Sequence, residues 1–146
     1  MKAGISFTIE GDAVPKQSYR HSAKGGYTEP RVKDWQEQVR FSAVRAIQGN
    51  LAFEPFFNDE LLHVTISFQL THRRRVDVDN LSKAVLDGCN DIIWKDDRQV
   101  VELHLAKKHG AQVGRVDVSV FPMLDCDPAE AEFPCQDYLG GDECTH

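Results

Sequence analysis

Ile5, Phe7 and Ile9 alternate with Ser6 and Thr8, and this period of two predicts a short strand near the start of the chain. Residues 62–70 alternate more strictly. Leu62, Val64, Ile66, Phe68 and Leu70 are set against His63, Thr65, Ser67 and Gln69, the signature of a strand with one buried face. Residues 99–108 and 115–121 alternate as well. The polar, glycine-containing link 109–114 predicts that these two pair as an antiparallel hairpin. Elsewhere the period is helical. Val32, Trp35, Val39, Ala43, Ala46 and Ile47 predict a helix over 31–48, stopped by Gly49-Asn50. Leu81, Ala84, Val85, Gly88, Cys89 and Ile92 form the buried stripe of a second helix, for which Asp79 or Asn80 is a suitable N-cap. Residues 11–30, with two prolines and many Gly, Lys, Arg and Tyr, read as a long loop of the kind that binds ligands. No period survives after Pro122. Trp35 and Trp94 are expected as core or interface anchors, and His104 and His109 in structural roles.

The length of 146 residues suits one compact domain, and 41% apolar with 27% charged residues is ordinary for a globular protein. No run of 18 apolar residues and no signal peptide is legible, so no membrane association and a cytoplasmic location are expected. The net charge of −6 divides unevenly. Residues 125–146 carry seven acidic and no basic side chains, leaving a body of +1, so the chain separates into a domain over 1–124 and an acidic, flexible tail over 125–146. Bulk charge therefore excludes a generally basic nucleic-acid binder, and any polyanion site must come from local clustering. Of the four cysteines, Cys126, Cys135 and Cys144 lie in the tail and Cys89 on the second helix. None forms a CxxC pair, so no zinc knuckle is expected, and with no secretion signal legible reduced thiols are the default.

The chemistry concentrates between residues 73 and 101. Arg73, Arg74 and Arg75 precede Asp77 and Asp79, which would point the same way in an extended chain and offer two hard oxygens to a cation such as Mg²⁺. Asp79, Lys83 and Asp87 are spaced by four, on the helix face opposite the buried stripe. Taken alone, Asp79 and Lys83 would be a surface pair worth about 0.3–0.5 kcal/mol. Asp96 and Asp97 stand between this helix and the next strand. They can return to the helix start if that strand pairs alongside residues 62–70. Two or three carboxylates, one lysine and an arginine run suit phosphodiester cleavage, in which a metal activates water and neutralises developing charge and a lysine stabilises the transferring phosphoryl group. An EF-hand is excluded because Leu81 and Ser82 stand where an oxygen ligand and a glycine are needed. A phosphoaspartyl-transfer motif is excluded by the arginines ahead of Asp77 and by Leu81 at its Thr/Val position.

The order Asp77-x-Asp79-Asn80-x-x-Lys83-x-x-x-Asp87, followed by Trp94-x-Asp96-Asp97-x-Gln99-Val100, resembles the RusA family of Holliday-junction resolvases. Val14-Pro15-Lys16-Gln17-x-x-Arg20 and Gly26-Tyr27-Thr28 echo that family's N-terminal segment, and the similarity runs from about residue 5 to 121. The resemblance implies an α/β (α+β) fold with a small mixed sheet carrying two main helices, a homodimer, and a Mg²⁺-dependent endonuclease (Mn²⁺ substituting) acting on four-way DNA junctions in recombination and repair. It places the catalytic groups on Asp77, Asp79, Lys83 and Asp97, with the three aspartates as metal ligands and Asn80 and Asp96 supporting. It also implies ligatable 5′-phosphate and 3′-hydroxyl ends and is compatible with a phage origin. Lys16, Arg20, Lys24, Arg31 and Lys33, with Tyr19 and Tyr27 among them, suit phosphate contacts and stacking on opened bases. Arg73, Arg74 and Arg75 are expected to bind phosphate beside the carboxylates. The near-neutral body departs from the basic character such a binder would have. Two alternatives are a non-catalytic branched-DNA-binding protein and a metal-dependent nucleotide phosphohydrolase. The clustered carboxylates weigh against the first and the lack of a GxxxxGK[ST] loop against a P-loop version of the second.

Overall fold

The computed structural model describes residues 2–16, 21–22, 25–26 and 29–123. Arg20, Lys24, Tyr19, Tyr27 and the acidic tail with its three cysteines lie outside the described residues, as does any test of the tail as a separate unit. Strands β1 (Ile5–Glu10), β4 (Leu62–Gln69), β5 (Val100–Lys108) and β6 (Arg115–Pro122) form one sheet in the order β1-β6-β4-β5. The β1–β6 and β6–β4 pairs are antiparallel and β4–β5 is parallel, so the sheet is mixed. Helices α1 (Pro30–Gln48) and α2 (Val78–Cys89) pack together, α1 against β1 and α2 against β5. The stretch read as a featureless loop contains a two-residue antiparallel ladder, β2 (His21–Ser22) with β3 (Gly25–Gly26). Among the described residues, no helix is long and apolar enough to cross a membrane.

The core follows the period of each element. Leu62, Val64, Ile66, Phe68 and Leu70 are fully buried because β4 has a strand on each side and its apolar face points inward. Val32, Trp35, Val39 and Ala43 of α1, and Leu81, Ala84, Val85, Gly88 and Cys89 of α2, supply the helical side. Trp35 and Trp94 are both buried, as expected. The helices approach closely at Gly88, where a Cβ would come within 2.7 Å of Val39 Cγ1. Burial also pushes the Cys89 thiol up to about 12, which keeps it protonated and inert. The other sheet face is polar between β1 and β6. Ser6 and Ser119 hydroxyls meet at 3.0 Å, and the Thr8 hydroxyl donates to Asp117 at 2.7 Å.

Two expectations are corrected. β5 and β6 do not form a hairpin, because β4 lies between them and pairs with both. The link 109–114 steps over the end of β4, where Leu70 N–H donates to Lys108 O (2.8 Å) and Ala111 N–H donates to Leu70 O (2.9 Å). Gly110 makes the bend at φ +71. Two strand spacings are about 10 Å, within reach of six residues. Helix α2 also starts earlier than expected. Its N-cap is Asp77, with extended backbone (φ −74, ψ 128) and no side-chain capping bond, while Asp79 and Asn80 sit inside the first turn. Asp77 and Asp79 therefore straddle the start of the helix and do not share an extended segment.

Candidate active site

Helix α2 carries most of the predicted residues, and its first turn ties four of them together. The Asn80 amide donates to Asp77 Oδ2 at 3.4 Å. Lys83 Nζ donates to Asn80 Oδ1 at 3.4 Å and lies 3.7 Å from Asp79 Oδ2. Asn80 thus links Asp77 to Lys83, and Lys83 reaches Asp79. Asp77, Asp79 and Lys83 are exposed, so these interactions set positions more than they stabilise the fold. The negative charge of Asp79 in the first turn also suits the positive end of the helix dipole.

Two turns further along, Asp87 forms an ion pair with Lys16 Nζ. The Lys16 backbone is held in place, its N–H donating to Asn80 O at 2.9 Å. Lys16, expected to reach phosphate, therefore lies along α2 with its charge on Asp87.

Asp96 and Asp97 differ sharply. Asp96 caps the 3-10 turn Asp97–Gln99, its Oδ1 accepting from Arg98 N–H at 2.9 Å and lying 3.2 Å from Arg98 Nε. The Arg98 backbone amide, and then its guanidinium, hold the Asp96 carboxyl below the usual carboxylate range. For Asp97, burial acts first, then a hydrogen bond shared with Asp96, then the charges of Asp87 and Asp96. Together they hold its carboxyl above that range against the opposing pull of Arg98. Asp87 is thus the α2 carboxylate whose charge bears on Asp97. Its spacing of four from Lys83 places it on the right face, but only the tertiary fold connects it to Asp97.

The sequence assigns Gln99 no role, yet it fixes this turn. Its Oε1 accepts from the backbone N–H groups of Lys95 (3.0 Å) and Asp96 (3.2 Å). Its Nε2 lies within donating distance of the carbonyls of Phe56 (2.9 Å), Asn58 (2.9 Å) and Glu60 (3.1 Å). One amide thereby clamps the Asp96-Asp97 turn to the 56–60 segment. The only signal in the chain is its place two residues after the aspartate pair.

Arg73, Arg74 and Arg75 are exposed on the connection from β4 to α2, shortly before Asp77. Lys107 Nζ donates to Val76 O on the same connection. Arg31 and Lys33 are exposed in the first turn of α1, which carries no acidic residue. The cations in contact with the acidic row on α2 are Lys83 at Asp79 and Lys16 at Asp87, among the described residues.

Among the described residues, the one group of three or more His, Cys, Asp or Glu whose ligand atoms all lie within 4.8 Å is His63, Glu102 and His104. Asp77, Asp79 and Asp97, expected to meet at the helix start, form no such group, and the α2 charge that bears on Asp97 is that of Asp87, two turns further on. Their donors are nonetheless of the right kind. Hard carboxylate oxygens suit a divalent cation, and Asp97 is raised first by burial and then by the neighbouring carboxylates Asp96 and Asp87.

Residues 10–121, more than half of the chain, match the family model described as Endodeoxyribonuclease RusA. The chain is also similar to the crossover junction endodeoxyribonuclease RusA of Aquifex aeolicus (strain VF5), at 29% identity over 98 residues, covering 65% of this chain and 73% of that protein. The matched region contains both helices, the Asp96-Asp97 turn, β4, β5 and all of β6 but its last residue. The chain therefore belongs to the RusA endodeoxyribonuclease family.

Proposed function

We propose that this protein is a Mg²⁺-dependent endonuclease that resolves Holliday junctions by paired nicks, with Asp77, Asp79 and Asp97 holding the metal and Lys83 acting on the phosphate. The observation that carries the reading is the polar row on α2, where Asn80 ties Asp77 to Lys83, Lys83 reaches Asp79, and the charge of Asp87 bears on Asp97. Burial, a hydrogen bond with Asp96 and the charges of Asp87 and Asp96 together raise the Asp97 carboxyl, in the turn that follows α2. A site of this kind gains by taking up a cation and then a phosphodiester. When bound, a divalent ion supplies Lewis-acid stabilisation of phosphate charge and lowers the pKa of an attacking water.

The chain's own residues have distinct parts in this reading. Asn80 holds Asp77 and Lys83 in register, and the Lys83 ammonium neutralises charge developing on the phosphoryl oxygens. Asp96 and Gln99 fix the turn so that Asp97 remains available. Arg73, Arg74 and Arg75, with Arg31 and Lys33, hold flanking phosphates and supply the local cationic surface that the bulk charge lacks. A four-way junction has near-twofold symmetry and each chain carries one acidic row, so a homodimer matches two nicks to one substrate.

The test is an end-labelled synthetic four-way junction beside a linear duplex of the same sequence, each with and without Mg²⁺. Paired nicks in the junction that require Mg²⁺, with the duplex left intact, are expected. Equal cutting of both substrates would make the protein a general nuclease, and binding without cutting would make it a junction binder.

A further inference from the structure

A second cluster of metal-binding side chains lies on the sheet, away from α2. We infer that His63, Glu102 and His104 form a site for a borderline divalent transition metal of the Zn²⁺ class, separate from the acidic row.

The strand register builds the site. Leu62 pairs with Val100, but a bulge then shifts the ladder by one residue, so that His63 meets Glu102 and Thr65 meets His104. Without the bulge, His63 would face Val101, an apolar side chain. With it, two imidazoles and a carboxylate gather on neighbouring parallel strands, on the side opposite the buried Leu62, Val64 and Ile66.

The geometry is close to that of a coordination shell. All the ligand atoms lie within 4.8 Å of one another. Glu102 addresses both histidines, with Oε1 at 2.8 Å from His104 Nε2 and Oε2 at 3.9 Å from His63 Nδ1. The imidazole centroids are 4.8 Å apart and inclined by 34°. The second ring nitrogen of His63, Nε2, is 3.4 Å from Thr65 Oγ1. Outer hydrogen bonds of this kind fix ring orientation and leave the other nitrogen for the metal.

The donor set selects the cation. Two imidazole nitrogens and one carboxylate suit Zn²⁺, Co²⁺ or Ni²⁺, whereas Mg²⁺ prefers oxygen ligands and retains water. Three protein ligands leave further positions open to solvent. The three residues are all only partly buried, so an ion has access. The consequence is mechanical. β5 is the edge strand, paired with β4 alone, and Glu102 stands three residues after the Gln99 that clamps the Asp97 turn. A metal joining His63 on β4 to Glu102 and His104 on β5 would pin the start of the edge strand. It would thereby hold the turn that presents Asp97.

The experiment uses the full chain with Cys126, Cys135 and Cys144 changed to Ser, which removes competing thiols. Zn²⁺ is titrated calorimetrically in excess Mg²⁺, which occupies oxygen-ligand sites. One equivalent of Zn²⁺ should bind and raise the melting temperature. His63→Gln and His104→Gln should each weaken that binding at least about tenfold, the smaller loss seen even when only a ligand's supporting partner is removed. Asp79→Asn should leave it unchanged. In the same protein with the three tail cysteines replaced, ¹⁵N NMR should show the ring nitrogens of His63 and His104 shifting with Zn²⁺ and not with Mg²⁺, a readout that needs no variant at the site. Zn²⁺ binding that persists undiminished in both histidine variants, absence of binding, or unshifted ring nitrogens would each overturn the inference.

Discussion

Asp96 and Asp97 are adjacent in the chain and opposite in environment. The carboxylate of Asp96 is turned back onto the Arg98 amide at 2.9 Å, while that of Asp97 is held above the usual carboxylate range by burial, then by a hydrogen bond with Asp96 and the charges of Asp87 and Asp96. One member of the pair builds the turn and the other is left with charge to offer. On this basis Asp97→Asn should lower the junction-nicking rate by about 10² or more, the scale of losing one electrostatic group at a reacting phosphate. Asp96→Asn should lower it much less, through loosening of the turn. Nicking rates for the two variants check this, and a larger drop for Asp96→Asn would exchange their roles.

The same contrast sets the pH dependence of stability with opposite signs. Asp97 has a folded-state pKa above its unfolded value, so the folded protein favours its protonated form. Its contribution is favourable below the unfolded pKa and is lost as pH rises through the folded one. Asp97→Asn should therefore stabilise the protein near pH 7, by less than about 1 kcal/mol because the group is partly exposed. The gain should vanish below about pH 4. Asp96 has a lowered pKa, so its contribution is present above the unfolded value and is lost as pH falls through the folded one. Asp96→Asn should destabilise at neutral pH, with the difference fading in acid. Thermal melts of both variants from pH 3 to 8 read both signs at once.

Gln99→Leu removes the amide that satisfies two backbone N–H groups and faces three carbonyls. At roughly 0.5–1.5 kcal/mol per net hydrogen bond, with solvent replacing some of them, a destabilisation of about 2–3 kcal/mol is expected in urea denaturation. Nicking should fall as well, because the Asp97 turn loses its anchor on residues 56–60. A variant as stable and active as wild type would show the clamp to be dispensable.

How much of this is legible in the chain depends on whether the signal is local. The stripe of α1, that of α2 as far as Cys89, and the buried face of β4 follow from period alone, because burial of one face is what the period reports; Ile92, read as part of the α2 stripe, lies in the turn beyond the helix end. Alternation in residues 99–108 and 115–121 reports burial too, but it carries no information about the partner strand. That is why an apparent hairpin proves to be two strands flanking β4. The start of α2 reads two residues late because Asp77, Asp79 and Asn80 are all good capping types. Motif position favours Asp97 over Asp96, but the reason for that position, the capping bond to Arg98, exists only in the folded turn. The Nε2 contacts of Gln99 span 39 to 43 residues, and the meeting of His63 with Glu102 depends on a bulge. Neither leaves a mark in a local pattern.

Lys83→Ala should separate chemistry from stability. Its interactions with Asp79 and Asn80 are long and exposed, so the stability change should be only a few tenths of a kcal/mol. The nicking rate should fall about 10²-fold or more. Single-turnover rates at saturating junction, set beside thermal melts, distinguish this from a surface ion pair, whose removal would leave turnover unchanged.

Replacing Arg73, Arg74 and Arg75 together by Ala should weaken junction binding and flatten its salt dependence. The log–log slope should change by up to about 0.9 for each phosphate that is no longer neutralised. Affinities measured from 50 to 200 mM salt give that slope. An unchanged slope would place these arginines outside the DNA path.

The most direct measurement is the rate of paired nicking of a four-way junction by Asp79→Asn beside wild type, in saturating Mg²⁺, with junction affinity measured in parallel. Asp79 sits in the first turn of α2, 3.7 Å from Lys83, and its exposed side chain carries no core packing. Loss of nicking with affinity retained or tightened is expected, since the change removes an anionic ligand and its repulsion toward phosphate. Nicking at the wild-type rate would contradict the assignment of the α2 carboxylates as the catalytic centre.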